Sequence, residues 1–359
     1  MDLYLHIGTE KTGTTSIQTF MAANRSLLQQ HRILYPRSPG ETNHIGLAGL
    51  AQDRDRGELW KKLAIRSPVE RDGYRATLEE ELAAELGQRR FRSAIMSNEH
   101  CSSRLLDEAE VTALRRFLSK FFSRVRIIVY LRRQDDFLVS TYSTGVKNGQ
   151  TPPLCVPKMR RIDHRYNYAE LLERWAGVFG RENLICRKFE RTSLVAGDLL
   201  ADFLDATDCD SAWPWERPGA LNSSLDAKCL EFLRLLNLQM RREDRPHGLV
   251  PRLERISDGA LLDLSEEDRA AFMKMVRPFN RRVAKRFFGG VLQDSDDPLF
   301  APRADVRART SEAGLSPDDA VRIAARLLTM DPVKGRQRDR PVAFAPGAQA
   351  PAAAAAMDA

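Results

Sequence analysis

The sequence has few cysteines, and their spacing fits neither a zinc site nor a disulfide framework. The 359-residue chain contains five, at Cys101, Cys155, Cys186, Cys209 and Cys229, and no two of them form a Cys-x-x-Cys pair. The rest of the chain shows no other clear pattern of metal ligands. We therefore expect a protein without a metal site or structural disulfides.

Long apolar runs are also absent. No stretch approaches the roughly 20 residues that a membrane-spanning helix needs. The N-terminus has an acidic Asp2, no basic start and only a short apolar run, which is unlike a signal peptide. These features predict a cytoplasmic protein without a transmembrane segment, and they leave open an association with the inner face of the membrane.

The composition is that of a folded protein with an excess of basic residues. Hydrophobic residues make up 43% of the chain and charged residues 29%, and the net charge is +7. This charge suits a polyanionic ligand such as a nucleotide bisphosphate or an acidic glycan, and it would also suit nucleic acid or a membrane surface. No RNA- or DNA-reading motif is present, and the aromatic residues are not interleaved with basic clusters. We therefore expect no nucleic-acid partner.

The N-terminal segment combines a strand, a glycine-bearing turn and a helix. Residues 3–7 form a short apolar run that stops at Gly8, and apolar residues recur at helical spacing from Ser16 onward, through Leu27 and Leu28. In this order the elements form a phosphate-binding cradle, because unpaired backbone N–H groups converge at the start of the helix.

The turn has the glycine spacing of a Walker A loop but not its lysine. Gly8 and Gly13 are correctly spaced, yet Thr14 stands where a Walker lysine would be, and the loop's one lysine is Lys11. A lysine at that position can bridge a transferring group and its leaving oxygen. The alternative interpretation is an ordinary strand-to-helix connection.

The loop resembles the 5′-phosphosulfate loop of sulfotransferases that use 3′-phosphoadenosine 5′-phosphosulfate (PAPS). Those enzymes carry Lys-[Ser/Thr]-Gly-Thr-Thr, and this chain reads Lys-Thr-Gly-Thr-Thr over residues 11–15. The resemblance implies that the donor's 5′-phosphosulfate is bound by Lys11, Thr12, Gly13, Thr14, Thr15 and Ser16. It also implies PAPS as the donor and 3′,5′-adenosine bisphosphate as the product.

A second segment supports the same resemblance. Residues 126–131 form a strongly β-branched strand, which is followed by Arg132 and, eight residues later in the next predicted helix, by Ser140. Sulfotransferases have an arginine and a serine at this spacing. The resemblance implies that both residues bind the donor's 3′-phosphate. The alternatives are a solvated surface arginine and a serine on a helix face.

The next candidates follow another predicted strand. Residues 94–98 form a buried strand that ends at Glu99 and His100. In a doubly wound α/β sheet, ligands lie beyond the carboxyl ends of the strands, and sulfuryl transfer to a hydroxyl needs a base. The resemblance to bacterial carbohydrate-type sulfotransferases favours Glu99, and His100 is the rival. Glu99 could instead cap the following helix or pair with an arginine.

Two further features are candidates on the acceptor side. His44 follows a turn that could line an acceptor pocket, although it could equally be a structural or exposed histidine. Between residues 147 and 165 the chain is rich in glycine, proline and basic residues. Such a stretch could be an acceptor-binding loop or simply a solvated surface loop. Its basic residues after Lys147 are Lys158, Arg160, Arg161 and Arg165.

The expected fold class is α/β, a P-loop-like three-layer fold with a central parallel sheet between helices and a helical C-terminal region. We expect a sulfotransferase domain over residues 1–300, a helical extension over 301–333 and a disordered Ala/Pro-rich tail over 334–359. The chain lacks the C-terminal Arg-Lys-Gly-x-x-Gly motif of cytosolic sulfotransferases. A third contact to the 3′-phosphate is therefore unassigned, and a carbohydrate or glycolipid acceptor is favoured over a small phenol or steroid.

The resulting hypothesis is in-line sulfuryl transfer from PAPS to an acceptor hydroxyl, without a metal. Two alternatives remain from the sequence. One is an ATP-dependent P-loop kinase, which would need magnesium and a Walker lysine. The other is a non-catalytic protein that binds a nucleotide or another polyanion, for which the basic charge would suffice.

Overall fold

The structure is a computed structural model. It describes residues 1–53, 58–156, 162–219, 224–290, 297–301, 308–312 and 314–330. The expected tail at 334–359 and the basic residues Lys158, Arg160 and Arg161 lie outside these ranges.

A parallel sheet forms the centre of the described chain. Its strands are β1 (Asp2–His6), β2 (Ile33–Leu34), β3 (Ser93–Ser97), β4 (Arg124–Leu131) and β5 (Leu184–Lys188), in the spatial order β2-β3-β1-β4-β5. Every pair is parallel, and β1 pairs with β3 on one side and with β4 on the other. The chain therefore builds β2 and β3 on one side of β1 and β4 and β5 on the other, which puts the topological switch point at β1.

Helices connect the strands and form the C-terminal region. In chain order they are α1 (Thr14–Ala23), α2 (Arg25–Gln30), α3 (Ile45–Ala51), α4 (Glu58–Lys62), α5 (Pro68–Gly87), α6 (His100–Arg104), α7 (Glu108–Leu118), α8 (Gln134–Lys147), α9 (Tyr168–Phe179), α10 (Leu199–Ala206), α11 (Ala227–Gln239), α12 (Leu249–Ile256), α13 (Glu266–Phe287) and α14 (Pro317–Thr329).

The two faces of the sheet are buried in separate apolar clusters. Leu3 and Leu5 of β1 contact one cluster, which includes buried residues of α3, α5, α7 and α9. Tyr4 points to the opposite face and joins a cluster formed with α1 and α10. This alternation follows from the two-residue period of a strand and gives a helix–sheet–helix sandwich. The predicted three-layer α/β class is confirmed.

The first helical stripe is interrupted where the sequence predicted continuity. Asn24 separates α1 from α2, and its side-chain amide donates to the carbonyl oxygens of Phe20 and Glu216, both at 2.8 Å. An asparagine that satisfies a terminal helix carbonyl competes with continued helical hydrogen bonding. The apolar periodicity through Leu28 therefore belongs to two helices rather than one.

The segment after residue 300 packs against the helical region that precedes it. β6 (Leu261–Leu262) pairs with β7 (Arg309–Thr310), and buried residues of α11, α12 and α14 share one apolar cluster. At the start of α14 the Ser316 hydroxyl accepts the N–H of Asp319 at 3.1 Å, and Pro317 occupies the first turn.

No helix in the described ranges is both long enough and apolar enough to cross a bilayer.

Two histidines are completely buried next to the sheet. The Nε2–H of His44 donates to the Pro36 carbonyl at 2.9 Å, and its Nδ1 accepts the N–H of Ser97 at 2.9 Å. The Nδ1 of His6 is hydrogen-bonded to the Ser97 hydroxyl at 2.8 Å. Burial lowers the pKa of each from 6.5 to about 3, so both are neutral at physiological pH.

These histidines should make the protein sensitive to mild acid. Below about pH 6.5 the unfolded chain takes up protons that the folded protein cannot bind until near pH 3, so the free energy of unfolding falls as pH decreases through this range. Each histidine can contribute up to about 1.4 kcal/mol per pH unit. We expect the free energy of unfolding, measured with a denaturant between pH 7.5 and 5, to fall less steeply with decreasing pH in His44→Gln than in wild type. His247→Gln, at an exposed site, serves as the control. An unchanged slope in His44→Gln would refute this account.

Candidate functional site

The loop after β1 has an unusual backbone shape. Gly8, Lys11 and Gly13 have φ values of 96°, 63° and 75°, and Gly13 occupies the N-cap position of α1. A side chain at Gly13 would adopt an unfavourable left-handed conformation, and its Cβ would overlap a methyl group of Leu199. The turn thus depends on glycine for its conformation, since the flexible Leu199 side chain can move away from a Cβ.

Hydroxyl groups inside the loop stabilise it. Thr12 and Thr14 both donate to the carbonyl oxygen of Thr9, at 2.6 and 3.3 Å. Thr12 has no exposed surface, so its side chain supports the loop from behind instead of facing a ligand. The predicted contact of Thr12 to the donor stays a prediction.

The loop's backbone leaves donors available at the start of α1. Thr14 and Thr15 are the first residues of α1, where backbone N–H groups have no carbonyl partner within the helix. Helix N-termini bind anions through such N–H groups, assisted by the helix dipole. The loop thus has the donors that a phosphate or sulfate group requires.

Lys11 is half-buried at this position. Burial lowers the pKa of its ammonium group, while the nearby carboxylates of Glu10 and Glu99 oppose the decrease. The positive charges of Arg132 and Lys147 lower the pKa of Lys11 further. Lys11 therefore lies where several charges of both signs meet.

Arg132 connects the second motif to the loop. It follows β4 directly, and its Nη1 donates to the carbonyl oxygen of Lys11 at 2.8 Å. Its guanidinium also lies over the ring of Phe189, 5.7 Å from the centroid. The Tyr168 hydroxyl donates to the Arg132 carbonyl at 2.6 Å, which fixes the backbone at the end of the strand. The two motifs are therefore in direct contact.

Glu99 follows β3 and occupies the N-cap position of α6 without capping the helix through its side chain. Its carboxylate accepts hydrogen bonds from Gln18 Nε2 at 2.9 Å and from Asn43 Nδ2 at 3.0 and 3.1 Å. Within the described residues it forms no ion pair with an arginine. Both alternative roles suggested by the sequence, helix cap and arginine partner, are therefore wrong.

His100, the first residue of α6, lies beside Glu99. Burial lowers the pKa of its imidazole, and the neighbouring Glu99 and Glu10 oppose this effect. Its Nδ1 is 3.9 Å from the Glu10 carboxylate and has no hydrogen-bond partner among the described residues.

A cleft of about 890 Å³ opens beyond the carboxyl ends of β1, β3 and β4. Of the residues predicted from the sequence, nine line it: Lys11, Gly13, Thr14, Thr15, Ser16, Glu99, His100, Arg132 and Ser140. These residues come from three separate segments of the chain, and the parallel pairing of the strands brings them together. The volume lies within the range of about 300–1,000 Å³ that is usual for ligand pockets.

His44 is not among the residues that line the cleft. It is completely buried, and both ring nitrogens are hydrogen-bonded to backbone groups, as described above. The structure therefore gives it a structural position and corrects its assignment as an acceptor contact. Its neighbour Asn43 reaches the site instead.

One face of α8 forms a wall of the cleft that the sequence analysis recognised only at Ser140. Asp136, Val139, Ser143, Thr144 and Lys147 also line it, at the spacing of one helical face. From Asp136 to Lys147 this stripe extends about 16 Å. The helical repeat of small polar residues after Ser140 could have revealed it.

The C-terminal region supplies the opposite wall. Leu225, Leu230, Val250, Pro251, Glu254, Leu261, Leu262 and Arg309 line the same cleft. Two ion pairs connect the walls, Lys147 to Glu254 at 2.7 Å and Arg309 to Asp136 at 3.3 Å. No local pattern could have predicted these contacts, since the partners are more than 100 residues apart.

The described residues contain no cluster of three or more His, Cys, Asp or Glu side chains arranged to hold a metal ion.

Comparisons with known proteins leave the function open. No family model matches the chain. A 186-residue stretch is 28% identical to an uncharacterised protein of Archaeoglobus fulgidus, and the match covers 50% of each chain. The chain thus spans about half the length of this curated relative. The crystal structure of a sulfotransferase from Alicyclobacillus acidocaldarius aligns at 16% identity over 69% of this chain and 98% of that one, with a TM-score of 0.37. Neither similarity assigns an activity to this protein.

Replacing Gly13 should destabilise the loop. We expect Gly13→Ala to lower the free energy of unfolding by about 1–2 kcal/mol, because alanine must adopt a left-handed backbone there. Gly177→Ala in α9 is the matched control. A Cβ at that position meets no atom within 4 Å, so we expect a gain of up to about 1 kcal/mol. Chemical denaturation measures both, and equal stability of Gly13→Ala and wild type would contradict the prediction.

Proposed function

We propose that this protein is a sulfotransferase that moves a sulfuryl group from PAPS to an acceptor hydroxyl. The observation that carries the proposal is the meeting of Lys11, Arg132, Ser140 and Glu99 in one cleft. Lys11, Arg132 and Ser140 suit an anionic donor, which needs cations and hydroxyls. Glu99 suits the acceptor hydroxyl, which needs a base. Three motifs that are separate in the sequence thus line one cleft, and their side chains suit one transfer reaction.

The 5′-phosphosulfate is assigned to the loop after β1. Thr14, Thr15 and Ser16 line the cleft there, and the backbone N–H groups at the start of α1 have no carbonyl partner within the helix. Lys11 lies beside them, where its ammonium group would neutralise the charge that develops on the leaving phosphate oxygen. Supporting contacts from Arg132 to the Lys11 carbonyl hold the loop in this shape.

The 3′-phosphate is assigned to Arg132 and Ser140. Both line the cleft, one at the end of β4 and the other on the first half of α8. An arginine and a hydroxyl are good donors to a phosphate dianion. The third contact that the sequence left unassigned has a candidate in Lys147, which lies seven residues beyond Ser140 on the same face of α8.

Glu99 is assigned as the base. In the transfer step, the acceptor oxygen forms a bond to sulfur while the bond between sulfur and the phosphate oxygen breaks, and the acceptor proton moves to the Glu99 carboxylate. Glu99 is held by three hydrogen bonds, whereas the Nδ1 of His100 has no such partner within the described residues. A fixed carboxylate is the better-oriented base.

The acceptor is proposed to be a carbohydrate or glycolipid hydroxyl. Ser143 and Thr144 of α8 and Asn148, which follows the helix, add polar groups next to the donor site, where sugar hydroxyls could form hydrogen bonds. The apolar residues of the opposite wall would suit the less polar part of a glycoside.

A kinase is less compatible with the loop. At the position of the Walker lysine, the Thr14 hydroxyl is directed to the Thr9 carbonyl. The chain therefore offers no side chain there that could reach the β- and γ-phosphates as a Walker lysine does.

Selective binding of the bisphosphate product tests the donor assignment. At about a hundred times its dissociation constant, 3′,5′-adenosine bisphosphate should stabilise the protein by about 2.7 kcal/mol, which raises the melting temperature by ~5 °C. ADP, which lacks the 3′-phosphate, should give a smaller shift. ATP with magnesium is the comparison for a kinase. If only ATP with magnesium raised the melting temperature, and the bisphosphate did not, the proposal would be overturned.

The two main cations should affect different steps. We expect Lys11→Ala to slow the release of bisphosphate from PAPS by about 100-fold or more, because it removes charge stabilisation in the transition state. The affinity of the Lys11→Ala variant for the bisphosphate should change little. Arg132→Ala should instead weaken that affinity by about 10–100-fold, through loss of a charged hydrogen bond. The rate assay uses water and a saccharide panel as acceptors.

Exposed residues of the same types provide the controls, Lys61→Ala for Lys11 and Arg116→Ala for Arg132. Both control variants should bind and react like wild type. Equal loss of affinity in Lys11→Ala and Arg132→Ala, with the rate at saturating PAPS intact in Lys11→Ala, would reject the division of roles.

A further inference from the structure

The Glu99 carboxylate is surrounded by neutral amide groups. Gln18 Nε2 donates to Oε2 at 2.9 Å, and Asn43 Nδ2 lies 3.1 Å from Oε1 and 3.0 Å from Oε2. Gln18 belongs to α1, Asn43 precedes α3 and Glu99 follows β3. We call Gln18, Asn43 and Asn98 the amide collar. The collar brings three segments that are distant in sequence together around the Glu99 carboxylate.

The orientation of each amide is fixed by a second contact. Asn98, which is completely buried, donates through Nδ2 to the Asn43 Oδ1, so the Asn43 Nδ2 must face Glu99. Gln18 is 3% exposed, and its Nε2 also lies 3.3 Å from the Ser97 hydroxyl. That hydroxyl is in turn hydrogen-bonded to the Nδ1 of His6. Amides held by more than one such contact have little freedom to rotate.

The opposite charges of Glu99 and Lys11 attract each other across the cleft. Glu99 and Lys11 line the same cleft and are close enough for the Glu99 charge to raise the pKa of Lys11. Even so, no ion pair of 4.0 Å or less connects the two in the described chain. A carboxylate without the amide donors would be drawn toward the ammonium group. The collar thus keeps a base and a cation apart within one cleft.

We propose that Gln18 and Asn43 are positioning residues that hold Glu99 as a charged carboxylate, separated from Lys11 and directed at the acceptor hydroxyl. The proposal rests on the proposed function for the role of Glu99 as a base. The separation of Glu99 from Lys11 is independent of it. Neutral amides suit this task because they fix a carboxylate without neutralising its charge, as an arginine partner would.

The separation can be measured without any activity. In a 13C-detected titration of the lysine side chains, Gln18→Met and Asn43→Ser should each raise the pKa of Lys11, by up to about one unit in the double variant, because Glu99 moves toward it. Glu99→Gln should lower it. Gln52→Met, which removes a buried amide elsewhere, should leave it unchanged. An unchanged pKa of Lys11 in the double variant would overturn the proposal.

A mutant cycle then tests the role in transfer. We expect Asn43→Ser to reduce the release of bisphosphate from PAPS by about 10-fold or more, with the melting shift by the bisphosphate unchanged. In the Glu99→Gln background the same change should have an effect of less than about 2-fold, because the residue acts through Glu99. Full loss in both backgrounds would show a merely structural role and overturn the proposal.

The two proposals fail in different ways. If Glu99→Gln releases bisphosphate as fast as wild type while the melting shift persists, the positioning role is overturned and the donor site stands. If wild type releases no bisphosphate from PAPS and the bisphosphate does not raise its melting temperature, the sulfotransferase assignment fails. The titration of Lys11 still decides whether the collar separates the two charges.

Discussion

The parallel pairing of β1 with both β3 and β4 determines where the functional side chains of this protein lie. Three adjacent strands end at one edge of the sheet, and each is followed at once by a polar residue or loop: the glycine loop, Glu99 and Arg132. A parallel sheet buried on both faces can expose such groups only at its edges. The hydrogen bond from Arg132 to the Lys11 carbonyl then joins two of these segments into one surface.

This constraint explains which parts of the site could be predicted. Arg132 follows β4 directly, and Glu99 and Lys11 lie in the short segments after β3 and β1, so a strand pattern and the edge rule suffice to place them together. Asn43 and Glu254 reach the cleft from elements whose packing no local pattern encodes. The fold class was predictable for the same reason as the strands. The break at Asn24 was not, because it depends on a contact with residue 216.

His44 shows where residue type alone misleads. A histidine in a loop beside a candidate site suggests chemistry, yet both of its nitrogens hold backbone groups of neighbouring segments. That role requires a neutral ring, and burial keeps it neutral. The residue before it, Asn43, has the ordinary appearance of a turn residue and contacts the candidate base. The sequence offers no signal that separates the two, since the difference lies in the direction of each side chain.

The distribution of charge in the cleft has a further consequence for the chemistry. Lys11, Arg132 and Lys147 provide positive charge for a donor, while Glu10, Glu99 and Glu254 face the same space. Glu254 is paired with Lys147 at 2.7 Å, and Glu99 is held by amides instead of a cation. Glu254 thus connects the two walls of the cleft through a cation, whereas the amide collar orients Glu99 through neutral groups. Lining one cleft therefore gives the two carboxylates different surroundings, and those of Glu99 are the ones that the proposed base requires.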